Sequence, residues 1–221
     1  MINQSASEAQ NASPIALGDI CYRQGKWEEA IDYYQQSLTL DRAAGNLSEV
    51  SVALNNLGIV CNELGRWDEA LDYHQQDLII CQELADRDGV SAALGNLGLT
   101  HHNLGNWDKA IDCHQQSLVI CQELGDREGA GASFNNLGMV YRAQGNWDAA
   151  IAAYQQSLTI QQELGNEYWA GQTLNDLGKL YQTTGQLDRA ISSWQAALTK
   201  LPEDAPEYPI VSSQLAEQSG K

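Results

Sequence analysis

Apolar positions along this chain keep helical spacing, and the stripe they form breaks and restarts at regular intervals. Leu54, Leu57, Gly58 and Cys61 fall on one stripe of a helix that ends near Gly65. Trp67, Ala70, Leu71, His74, Leu78 and Cys81 trace a second stripe that closes near Ala85-Asp86. Gly58 and Ala70 lack bulk, so the two helices can approach closely where they cross. The pattern predicts an antiparallel helix pair.

The pair recurs. Leu-Gly steps stand at 17–18, 57–58, 97–98, 137–138 and 177–178, an interval of 40 without slippage. Gly-x-Trp at 25–27, 65–67, 105–107 and 145–147 keeps the same period, with Gly185-Gln186-Leu187 in the last copy. So do Ala30, Ala70, Ala110, Ala150 and Ala190, and the Gln-Gln pairs at 35–36, 75–76, 115–116 and 155–156. One such pair cannot bury its own apolar face, whereas stacked neighbours can. The expected fold is therefore an all-α solenoid of five antiparallel helix pairs with a closing helix. Its expected parts are a tail over 1–12, units over 13–45, 46–85, 86–125, 126–165 and 166–201, and a proline-containing linker with a capping helix over 202–221. Ser13-Pro14 predicts a capped start and a short first helix. Pro202, Pro206 and Pro209 predict a linker, after which Ile210, Val211 and Leu215 turn inward on the cap. A tethered peptide reaching a neighbour's groove is the other reading of that segment.

These markers, together with Tyr34, His74, His114, Tyr154 and Trp194 at one matched place, resemble the tetratricopeptide repeat. The pattern is most similar to the long forty-residue form of Pins/LGN-type polarity adaptors and to that of kinesin light chains, over about residues 12–201. The resemblance implies a right-handed superhelix whose first helices line a concave surface. It also implies that asparagines on that surface hold extended peptides.

The residues opposite the buried stripe agree. The second copy presents Val52, Asn55, Asn56, Ile59, Asn62 and Glu63 there, and the third Ala92, Gly95, Asn96, Leu99, His102 and Asn103. The fourth presents Ala132, Asn135, Asn136, Met139, Arg142 and Ala143, and the fifth Gln172, Asn175, Asp176, Lys179, Gln182 and Thr183. A carboxamide offers one acceptor and two donors, the complement of a peptide group. Asn56, Asn96 and Asn136 would form a ladder for a visiting backbone, with exposed Ile59, Leu99 and Met139 as apolar pockets between the rungs. The alternative is that these amides only brace one repeat against the next. Trp169 lies one turn before Gln172 on the same stripe, where it either anchors a partner or packs on the closing helix.

The formal charge of −17, from 29 acidic and 12 basic side chains, disfavours nucleic acid and anionic membrane as partners. Much of the acidity stands just after each Trp-bearing turn (Glu28, Glu29, Asp68, Glu69, Asp108, Asp148, Asp188), where a helix start favours it. A carboxylate clamp is not expected, because Arg23, Arg142 and Lys179 face Asp19, Glu63 and Asp176. Five cysteines without a CxxC pair indicate neither a disulfide framework nor a zinc knuckle. They suit a reducing compartment, and the chain is expected to be cytoplasmic. His101, Cys113 and His114 could share a metal, but histidine replacing a core aromatic is the commoner case, so no cofactor is expected. No nucleophile elbow, phosphate loop or carboxylate pair is present. The expectation is a non-catalytic scaffold for an extended segment of another protein. A peptide-sensing regulatory module and a structural repeat that self-associates through its terminal units are the alternatives.

Overall fold

The computed structural model describes residues 12–219, and the expected tail over 1–12 lies almost wholly outside them. Eleven α-helices occur among the described residues, and they form two compact units that meet in sequence at Asn106 and Trp107. The N-terminal unit holds α1 (Pro14–Arg23), α2 (Trp27–Ala44), α3 (Leu47–Glu63), α4 (Trp67–Glu83) and α5 (Arg87–Asn103). The C-terminal unit holds α6 (Trp107–Leu124), α7 (Arg127–Ala143), α8 (Trp147–Leu164), α9 (Glu167–Thr183), α10 (Leu187–Lys200) and α11 (Glu207–Ser219). Within each unit every helix packs on its chain neighbours. No helix among the described residues is long and apolar enough to cross a membrane.

Helix starts and stops follow local chemistry. Ser13 Oγ accepts the Ala16 N–H at 3.5 Å and Pro14 opens α1, so that helix is short, 10 residues against the 17 of α3. Asp86 and Asp126 cap α5 and α7 by accepting the N–H of Gly89 and Gly129 at 3.0 and 2.9 Å. The acids after each tryptophan occupy first turns, as in α2 and α4, where the helix dipole stabilises them.

Gly45, Gly125 and Gly165 follow their helices with φ near +70° (73, 73 and 70°), and Ala85 occupies the matched place at φ 53°. A Cβ is strained in that left-handed conformation. Ala85→Gly should stabilise the N-terminal unit by about 0.5–1 kcal/mol, read as a higher urea midpoint at unchanged slope.

The Leu-Gly steps explain the cores. Leu54, Leu57, Val60 and Cys61 are buried with Tyr34 and Ala70 in one cluster. In the C-terminal unit Tyr154, Leu177, Leu180, Trp194 and Val211 form another, and Cys121, Ala130 and Ile160 a smaller one beside Phe134. The ring of Tyr34, His74, Tyr154 or Trp194 sits directly on the glycine of its own pair. All five cysteines are free thiols. One buried position breaks the repeat: Ser37, Ser117 and Ser157 are matched by Asp77, 3 % exposed, which accepts from the hydroxyl of Ser51 and from Cys81 Sγ at 3.5 Å.

The C-terminal segment corrects two expectations. The closing helix begins at Glu207, so Pro209 belongs to its first turn rather than to a linker; a first-turn N–H has no intrahelical partner, and proline costs little there. Val211 is buried and Leu215 half-buried, but Ile210 points outward, 53 % exposed.

Candidate functional site

In the N-terminal unit the polar stripe spans α1, α3 and α5. Asn96 Nδ2 donates to Asn55 Oδ1 at 2.7 Å, and Asn56 Nδ2 to Asp19 Oδ1 at 3.4 Å. Asn62 Nδ2 donates to Thr100 Oγ1 at 2.9 Å, and Thr100 returns its hydroxyl to the Asn96 carbonyl at 2.9 Å. The asparagines therefore brace neighbouring repeats. Bracing uses only part of each amide: among the described residues one N–H and Oδ1 of Asn96 and both N–H groups of Asn55 remain uncommitted, and both residues are half-buried. Ile59 and Leu99, expected as exposed, are half-buried. His102 is half-buried and Asn103 exposed. A cleft of about 400 Å³ opens beside Asp19, Tyr22, Arg23, Tyr34, Asn56 and Ile59. Burial and the 2.8 Å bond to Asp19 push the Tyr34 phenol well above its ordinary range, so it stays a neutral donor. Arg23 is held by its Nε on the Asp19 carbonyl at 3.2 Å.

In the C-terminal unit α7 and α9 carry the stripe. Asn135 Nδ2 donates to Thr173 Oγ1 at 3.3 Å, and Thr173 to the Trp169 carbonyl at 3.0 Å. Asn136, Met139 and Arg142 are half-buried, and Asn136 has no hydrogen-bond partner among the described residues. Asn175, expected on the open stripe, is buried at 4 % exposure and offers nothing to a partner. Lys179 pairs with Asp176 at 3.4 Å, which removes the last cation a carboxylate clamp would need in this unit beyond Arg142.

Trp169 is 51 % exposed and meets a cleft of about 240 Å³ that Asn135, Asn136, Ala132, Glu128 and Ser157 also line. It does not pack on the closing helix; Tyr168 does, with its hydroxyl 3.2 and 3.3 Å from the Glu207 carboxylate oxygens and 2.7 Å from Gln172 Nε2. Tyr168 in turn meets the Trp169 ring edge-on at 5.4 Å and fixes it. Sequence reasoning missed Glu128 and Ser157. The signal for Glu128 was present, one helical turn before Ala132 on the same stripe; Ser157 belongs to a second helix, α8, whereas the open stripe was read on first helices. Among the described residues no three His, Cys, Asp or Glu gather as a metal site, and His101 and His114 are buried in different units.

A tetratricopeptide repeat family model matches residues 8–78, 49–123, 89–163 and 129–201. The chain belongs to the tetratricopeptide repeat family, an all-α repeat class whose members are protein interaction modules. Among solved structures, BtubC (BKLC) from P. vanneervenii is similar, with a TM-score of 0.74, 22 % identity, and 88 % of this chain and 84 % of that one covered. A Rap protein complexed with Competence and Sporulation Factor gives a TM-score of 0.75 at 16 % identity, covering 94 % of this chain and 59 % of that one. The kinesin light chain TPR-like repeats of Podosopora anserina give 0.69 at 18 %, covering 91 and 94 %. At these identities the likeness establishes the fold alone. Comparison with curated protein sequences gives no significant match.

Proposed function

We propose that the chain is a non-catalytic scaffold that binds an extended segment of another protein along the amide-bearing faces of its first helices. The five forty-residue units serve as the repeats and residues 202–221 as their cover. The observation that carries this reading is the half-used amide: among the described residues Asn55 and Asn96 spend one group each on a neighbouring helix, Asn136 spends none, and all three are only half-buried. A visiting peptide group needs one donor and one acceptor, which an amide in that state supplies. Half-buried Ile59, Leu99 and Met139 would contact side chains between the rungs. The Rap protein seen complexed with a factor is in keeping with this use of the fold. The free thiols suit a reducing, cytoplasmic setting.

The test is the triple variant Asn56→Ala, Asn96→Ala, Asn136→Ala, compared with the natural chain in a pull-down from the source cell. Each lost amide bond is worth about 1 kcal/mol, so affinity should fall about a hundredfold while helicity by circular dichroism stays unchanged. A partner that the triple variant retains at full affinity ends this reading.

A further inference from the structure

We propose that the cleft at Trp169 seats a cationic side chain, arginine or lysine, of the segment that binds there. The inference rests on the scaffold reading and adds the chemistry of one of its contacts. Four observations within the C-terminal unit converge on it. The indole is half-exposed yet held in one orientation by Tyr168, which is itself anchored by Glu207 and Gln172. A rigid aromatic face open to solvent is the surface on which a guanidinium or ammonium stacks.

Glu128 lines the same cleft, is exposed, and has no ion-pair partner among the described residues. The cations of the surrounding helices are engaged or distant: Arg127 pairs with Glu163, Lys179 with Asp176 and Lys200 with Glu167, while Arg142 stands at the far end of α7, about 21 Å along the helix from Glu128. The site therefore carries an uncompensated negative charge, within a chain of formal charge −17.

Ser157, 1 % exposed, lines the floor, and its hydroxyl has no hydrogen-bond partner. A buried hydroxyl without a partner among the described residues can accept a hydrogen bond from a group entering the cleft, and a cationic head brings several donors. An apolar occupant would leave both Ser157 and the Asn136 amide unpaired, and an acidic one would meet Glu128. Ala132, small and exposed, leaves room for the aliphatic stem of the entering side chain.

The experiment uses the full chain labelled with ¹⁵N and follows the Trp169 indole N–H resonance, identified by its absence in Trp169→Phe. The probes are extended Ser/Gly peptides that carry one central arginine, norleucine or glutamate. The arginine peptide should bind at least about tenfold more tightly than the norleucine peptide, and the glutamate peptide should not shift the resonance. Glu128→Gln should cut the arginine preference about threefold and weaken its salt dependence, and Trp169→Ala should abolish the preference. Equal binding of the norleucine peptide, or a preference that survives both substitutions, overturns the cationic subsite. If that neutral binding still vanishes in Asn136→Ala, the scaffold reading stands without it. Failure of all three peptides to bind also overturns the subsite, and the pull-down with the asparagine variant then decides the scaffold reading alone.

Discussion

Alanine at Gly178 is expected to destabilise the C-terminal unit by about 1–3 kcal/mol, the usual range for forcing bulk into a closed core. A Cβ built there would stand 2.6 Å from Trp194 Cδ1 and 2.8 Å from Cε2, well inside van der Waals contact. The indole cannot yield, because Trp194 is fully buried and Ala190, Ala197 and Val211 around it are fully buried too. The Leu-Gly step is thus a packing requirement set by the large residue of the second helix. Combining Gly178→Ala with Trp194→Phe frees ring volume, so the double variant should lose less than the two single variants added together. Repeat proteins lose cooperativity between neighbours, and hydrogen exchange of the α9 and α10 amides is therefore the sharper readout. Unchanged protection there in Gly178→Ala would show that the helices do not cross this closely.

The same physics explains which parts of the molecule were legible in its sequence. Leu57, Gly58 and Cys61 could be read as core because a helix buries one stripe and repetition states that stripe several times over. Repetition also misleads. Asn175 stands where Asn55 and Asn135 do, and the inference that it shares their exposure fails: it is 4 % exposed. Pro209 was read from composition alone, which cannot distinguish a linker proline from one in the first turn of a helix. The bracing bonds from Asn96 to Asn55 and from Asn135 to Thr173 join residues 41 and 38 positions apart, beyond any helix-periodic signal. The cleft at Trp169 depends on Ser157 from α8 and on Glu128 and Asn136 from α7, and only packing brings those together.

The bracing amides and the proposed binding face are compatible for a physical reason. A carboxamide has four hydrogen-bonding valences, two N–H groups and two lone pairs, and the observed inter-helix bonds consume one at most for Asn55, Asn56 and Asn96. Fixing the side chain with one bond lowers the rotamer entropy a ligand would otherwise have to quench, so a braced amide is a better rung than a free one. Bracing and the proposed binding are therefore additive rather than exclusive.

Acid should weaken the N-terminal unit through His74. The imidazole is fully buried against Gly58, and desolvation lowers its pKa from 6.5 to about 4. In the unfolded chain it titrates near 6.5, so the unfolded state takes up a proton that the folded state refuses. Stability is therefore complete above pH 6.5, falls as pH drops below it, and levels off near pH 4 with a loss of about 3 kcal/mol at the limit. Asp77 works in the opposite sense: burial raises its carboxyl above 3.8, so its protonation favours the folded state and offsets part of the loss at the acid end. His74→Phe isolates the term. Phenylalanine keeps a ring on Gly58, as Tyr34 does on Gly18, and Asn62 retains its bond to Thr100. Urea midpoints measured from pH 7.5 down to about pH 4 should decline steeply for the natural chain and much less for His74→Phe. Parallel declines in the two proteins would show that the imidazole is protonated inside the fold and that its burial carries no proton linkage.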